Sequence, residues 1–100
     1  MSTVAHQRSR ALHGAVAARL AADETLVGLA RERVREWRTK GTVHAAYVDA
    51  WEELLGGPLD ALLAALTAPS ERMHDLRQVS PFAGLLDARE RWRILRGLRP

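Results

Sequence analysis

The four histidines are the side chains of this sequence best suited to hold a metal or move a proton, and their spacing argues against both. His6 and His13 lie seven residues apart. On a helix that separates them by two turns, too far for one ion to bridge. His44 and His74 stand alone, and the chain contains no cysteine, so neither a thiolate metal site nor a disulfide framework can form. There is no H-E-x-x-H, no G-x-S-x-G, no phosphate-cradling glycine loop and no paired carboxylates in an apolar setting. These absences predict a protein that is not an enzyme and takes no metal or cofactor. A chain this short that spends its apolar residues on one core also has little left to line a concave pocket.

Arginine is the other residue with chemistry to offer. The closing stretch "SPFAGLLDARERWRILRGLRP" interleaves five arginines with Trp92, Ile94, Leu95 and Leu98. At about 100° per residue, Arg89, Arg93 and Arg96 share one side of a helix and the apolar residues cover the other. Arg91 falls inside the apolar arc, which predicts an ion pair with a carboxylate of the acidic middle segment, where Glu52, Glu53, Asp60, Glu71 and Asp75 face Arg72 alone. The competing use is as an anchor with Trp92, since Trp and Arg are enriched at interface hot spots. Arg89, Arg91, Trp92, Arg93 and Arg96 are therefore the candidate partner-binding residues. A second stripe, Arg31, Arg35 and Arg38, offers the alternative of nucleic-acid binding if its helix lies beside the last one. Glu32, Glu36 and Glu90 dilute both stripes. A third use is homodimerisation, acidic middle against basic end.

Composition and punctuation indicate what must position these residues. Hydrophobic residues make up 47% of the 100-residue chain and aromatics only 5%, the balance of an all-α bundle of about five to six short helices in a single domain over residues 1–100. Fifteen basic against twelve acidic residues make a mixed surface rather than a polybasic one. The start "MSTVAHQRSRALHG" lacks the continuous apolar run of a secretory signal, and "LLAALTAP" is far too short to span a bilayer, so a cytoplasmic location is expected.

Ser2 or Thr3 can cap a first helix to about Ala22, with Ala5, Ser9, Leu12, Val16 and Leu20 on one face. Asp23 is the expected cap of a second helix ending at Gly41, with Leu26, Val27, Ala30, Val34 and Trp37 inward. Thr42 is the expected cap of a third, buried through Val43, Ala46, Tyr47, Ala50, Trp51 and Leu54, and Gly56-Gly57 stops it. Pro58 suits the first position of a fourth helix carrying Leu59, Leu62, Leu63 and Leu66. Ser70 opens a fifth with Met73 and Leu76 inward, broken at Ser80-Pro81. Asp87 and Glu90 resemble a capping box for a last helix from Ala88. Trp37, Tyr47, Trp51, Leu54, Leu62, Leu66, Phe82, Trp92 and Leu95 are the predicted core, with "SPFAG" as a latch plugged by Phe82.

The segments "VHAAYVDAWEELL" and "SERMHDLRQVSPFAGLLDARERWRILR" resemble a group of small helical bacterial proteins of actinobacterial type. "SPFAGLLDARERWRILR" is the distinctive part. The resemblance implies an antitoxin-like or accessory role beside a nucleotidyltransferase-like or toxin-like partner, and it defines no binding residues.

Overall fold

The computed structural model describes residues 3–98, so Ser2 and Arg99 lie outside it. Every regular element among these residues is an α-helix: α1 Val4–Ala22, α2 Leu26–Lys40, α3 Ala45–Gly56, α4 Leu59–Leu66, α5 Glu71–Gln78 and α6 Ala88–Arg96. Thr3 caps α1 by accepting from the His6 N–H, and Ser70 caps α5 by accepting from the Met73 N–H, each satisfying a donor that the first turn leaves without a partner. Gly41 closes α2 at φ 65°, a left-handed conformation that other residues resist.

Three boundaries differ from expectation. Leu26 and Val27 donate to the Asp23 and Glu24 carbonyls, so the chain is already turning helically at Thr25, which takes the N-cap position of α2. The Asp23 carboxylate instead folds back on the Thr25 N–H and hydroxyl as a local turn. His44, not Thr42, caps α3, its ring nitrogen Nδ1 accepting from the Ala46 N–H at 3.1 Å. Pro58 stands just outside α4 in an extended conformation.

α1 is the central strut and packs against α2, α4, α5 and α6, while α2 and α3 pack against each other. The buried cluster takes Val16 and Leu20 from α1, Val27, Ala30 and Val34 from α2, and Val48, Trp51 and Leu55 from α3. Leu62, Leu66, Met73 and Leu76 add to it, and Phe82 and Leu86 complete it. The α3 stripe is thus centred one residue later than predicted, leaving Tyr47 and Leu54 half-buried and Ala46 exposed. Trp37 is also only half-buried, and Ala5 is exposed.

Trp51 is the hub. It is fully buried, its indole N–H donates to the Val79 carbonyl at 2.7 Å, and its ring meets Phe82 edge-to-face at 6.0 Å. The latch reading of "SPFAG" agrees with this placement. Pro81 and Phe82 are buried, Gly84 turns the chain at φ 88°, and Arg33 of α2 donates to the Ala83 carbonyl.

Arginines also close helix ends. Arg31 donates twice to the Leu55 carbonyl near the C-terminus of α3, and Arg10 and Arg77 cover the Leu66, Thr67 and Ala68 carbonyls where α4 ends. A helix C-terminus carries partial negative charge as well as unpaired carbonyls, so a guanidinium satisfies both needs there. Among the described residues no helix is long and apolar enough to cross a membrane.

Candidate functional site

Local chemistry starts α6 where the sequence indicates. The Asp87 carboxylate accepts from the Glu90 N–H at 2.8 Å, and the helix runs from Ala88 to Arg96. Its seating is different from expectation. α6 touches α1 and no other helix, with an Arg19–Glu90 ion pair at 2.5 Å, while the half-buried Ile94 packs against the core cluster, and none of its residues is buried.

That contact line decides the fate of Trp92. Residues two positions away on a helix lie about 200° round the axis, so seating Glu90 against Arg19 and Ile94 against the core turns Trp92 outward. Trp92 is 58% exposed, Leu98 is 42% exposed, and Leu95 is half-buried, so neither Trp92 nor Leu95 belongs to the core as predicted. The Arg96 guanidinium lies over the Trp92 ring, 5.1 Å from its centre.

Arg91 also departs from its expected role. It is exposed and pairs with no carboxylate among the described residues. The structure therefore gathers all five predicted partner-binding residues, Arg89, Arg91, Trp92, Arg93 and Arg96, as exposed groups on one helix. Among the described residues none of the four arginine side chains makes a hydrogen bond or an ion pair.

The second stripe is not assembled in the same way. Arg31 is committed to the Leu55 carbonyl, and Arg38 pairs with Glu52 and Asp49 of α3, whose hydrogen bonds hold its guanidinium charged above the ordinary range. Arg35 alone of the three is exposed and without a partner among the described residues. α2 and α6 do not touch, so the stripes form no joint surface by lying side by side.

Because α6 meets only α1, a cleft of about 620 Å³ stays open between α1, the stretch 77–86 and α6, where the sequence leads one to expect no pocket. Leu12, Val16, Phe82, Leu86 and Leu95 give it apolar walls, Trp37 contributes to its lining, and Arg8, Arg77 and Arg91 are its charged residues. Among the described residues no Asp or Glu lines it.

His13, Ser80 and Arg77, none of them among the predicted site residues, organise this cleft. His13 is buried, and its Nδ1 lies 2.8 Å from the Ser9 carbonyl while Nε2 lies 2.8 Å from the Ser80 hydroxyl. A carbonyl can only accept, so Nδ1 carries the proton and Ser80 donates to Nε2. The Ser80 oxygen also accepts from the Phe82 N–H at 3.1 Å, which ties the latch to α1. A hydroxyl against a neutral imidazole is the contact a nucleophile makes with its base. Here the contact holds a turn in place.

Arg77 is 3% exposed, donates to the Leu66 and Ala68 carbonyls at 3.1 and 2.9 Å, and lies 2.7 Å from His74 Nδ1. An arginine has no acceptor, so it donates to that ring nitrogen as well. Its Nε is buried without a partner among the described residues. Burial lowers the Arg77 pKa, and Arg10 nearby lowers it further.

His6 stacks on His74 with ring centres 4.2 Å apart. Burial lowers the pKa of His13 and of His74; Arg77 lowers both further, and His6 and Arg10 act on His74. The consequence for stability has a definite sign. A histidine whose folded pKa is depressed binds its proton more readily in the unfolded chain, so stability is highest above the unfolded value of about 6.5 and falls as pH drops below it. The urea midpoint should accordingly be lower at pH about 5 than at pH about 7.5. An equal or higher midpoint in acid contradicts this placement of the two rings.

Protein-family models, curated proteins and solved structures were all compared with the chain, and none matches it.

Proposed function

We propose that the chain is a non-enzymatic protein-interaction module of the cytoplasm, an antitoxin-like or accessory partner of another protein, which it meets through α6. One observation carries the reading. A helix with no buried residue displays Trp92, 58% exposed, beside four arginines whose side chains are unpaired among the described residues. Folding has no evident need for such a face, whereas binding energy concentrates on Trp and Arg once water is excluded around them. The nucleic-acid alternative needs a continuous cationic surface, and two of the three arginines it would recruit from α2 are engaged within the fold.

The test is cross-linked capture from the source cell with wild type and with the Trp92→Ala/Arg93→Glu double variant. Wild type should recover a stoichiometric protein. The variant, equally folded by circular dichroism, should lose on the order of 2 kcal/mol of affinity, about thirtyfold. Equal recovery by both excludes α6 as the contact.

A further inference from the structure

We infer that the cleft between α1, α6 and the SPFAG latch receives an acidic, partly apolar segment of the partner protein, with Arg8 and Arg91 meeting its carboxylates. The inference rests on the partner reading above and adds to it a second contact site and the chemistry of what enters it.

Charge carries the argument. Arg8 from α1 and Arg91 from α6 line one cleft, both exposed, and neither side chain has a hydrogen bond or an ion pair among the described residues. Arg77 in the same wall is a buried cation that meets carbonyls and a histidine but no carboxylate. A buried cation is ordinarily compensated, and two exposed arginines lining the same cleft add to its positive potential. The protein's own acids do not offset this charge: Glu90 of α6 is turned to Arg19, the Asp87 carboxylate caps α6, and among the described residues no acidic residue lines the space. An anionic occupant supplies the missing counter-charge.

The walls exclude a purely ionic one. Leu12, Val16, Phe82, Leu86 and Leu95 offer apolar surface, which favours aliphatic or aromatic side chains next to the carboxylates over a phosphate backbone. The mouth is adjustable as well. α6 meets α1 alone among the helices and buries no residue, so shifting it to admit a segment breaks few core contacts.

The probe is a library of short random peptides displayed on phage and selected on the full chain, with the enriched peptides synthesised and measured by fluorescence anisotropy. Enriched sequences should combine net negative charge with spaced apolar residues. Arg8→Glu/Arg91→Glu should weaken them by about tenfold or more and should turn a repeated selection toward basic peptides. Arg8→Ala/Arg91→Ala, with the wild-type melting temperature, should weaken them less but measurably. Enrichment without acidic bias, or affinity unchanged in both pairs, overturns the cleft assignment. If the peptides are lost with Trp92→Ala/Arg93→Glu but kept with Arg8→Glu/Arg91→Glu, the cleft assignment fails while the α6 reading stands. If the peptides survive every variant, both fail. A single-stranded oligonucleotide that displaces the peptides and is itself lost with Arg8→Glu/Arg91→Glu makes the occupant a phosphate backbone, and a dimeric mass that peptide dissociates makes it a second copy of this chain. Either result overturns the inference.

Discussion

Trp51→Ala should remove a large part of the chain's stability, more than any other single truncation in the core. Trp51 is the largest fully buried side chain, and the alanine variant forfeits its packing in the buried cluster and its contact with the Phe82 ring. Truncating a buried aromatic costs about 3–5 kcal/mol, against a total stability of roughly 5–15 kcal/mol for a domain of this size. A hydrogen bond is lost as well, since the Val79 carbonyl that accepts from the indole at 2.7 Å is left without its donor. Trp51→Phe separates the two effects. It keeps an aromatic ring at the site but removes the donor and part of the indole's volume, so its loss should be near 1 kcal/mol for the hydrogen bond plus a packing loss smaller than that of alanine. Urea unfolding followed by circular dichroism reads both. If Trp51→Ala unfolds at the wild-type midpoint, the helices do not converge on this residue.

Arg77→Leu should be the second most damaging change and the less obvious one, because leucine is apolar and the site is buried. The leucine fills part of the volume but strips the Leu66 and Ala68 carbonyls of their donor at the end of α4. Hydrogen bonds from a charged donor contribute roughly 1.5–3 kcal/mol each, and buried acceptors left bare carry their full desolvation cost, so a loss on the order of 3 kcal/mol is expected. Arg77→Lys keeps the charge but cannot reach two carbonyls and His74 with one ammonium group, and should recover only part of it. If Arg77→Leu matches wild type in urea, Arg10 alone suffices to close α4.

The outline of the fold is legible because helix ends are local chemistry. Thr3, Ser70 and Asp87 act within three residues of themselves, and Gly41 acts on its own φ. Phe82 is legible as a core plug because a lone aromatic between Ser-Pro and Ala-Gly has nowhere apolar to go but inward. The seating of α6 is not legible. Its apolar arc can indicate which residues avoid water, but which of them find cover depends on the elements opposite, and here Glu90 meets Arg19, 71 residues away, Ile94 takes the cover and Trp92 is left outward.

The cleft was out of reach for the same reason. His13 and Ser80 are 67 positions apart, and only the fold brings them together. A hint did exist on α1. His13 falls on the face of Ser9, Val16 and Leu20, where a polar ring must find partners or be costly to bury. Arg77 carried a similar hint, lying four residues after Met73 and next to Leu76 on the inward side of its helix. Its burial depends on the carbonyls at the end of α4 being within its reach.

The division of labour between a closed core and a displayed α6 can be tested with one substitution. Urea unfolding of Trp92→Ala should match wild type to within about 0.5 kcal/mol, as for a surface change. A loss on the order of 3 kcal/mol, the cost of a buried aromatic, would place Trp92 inside and remove the exposed anchor on which partner binding depends.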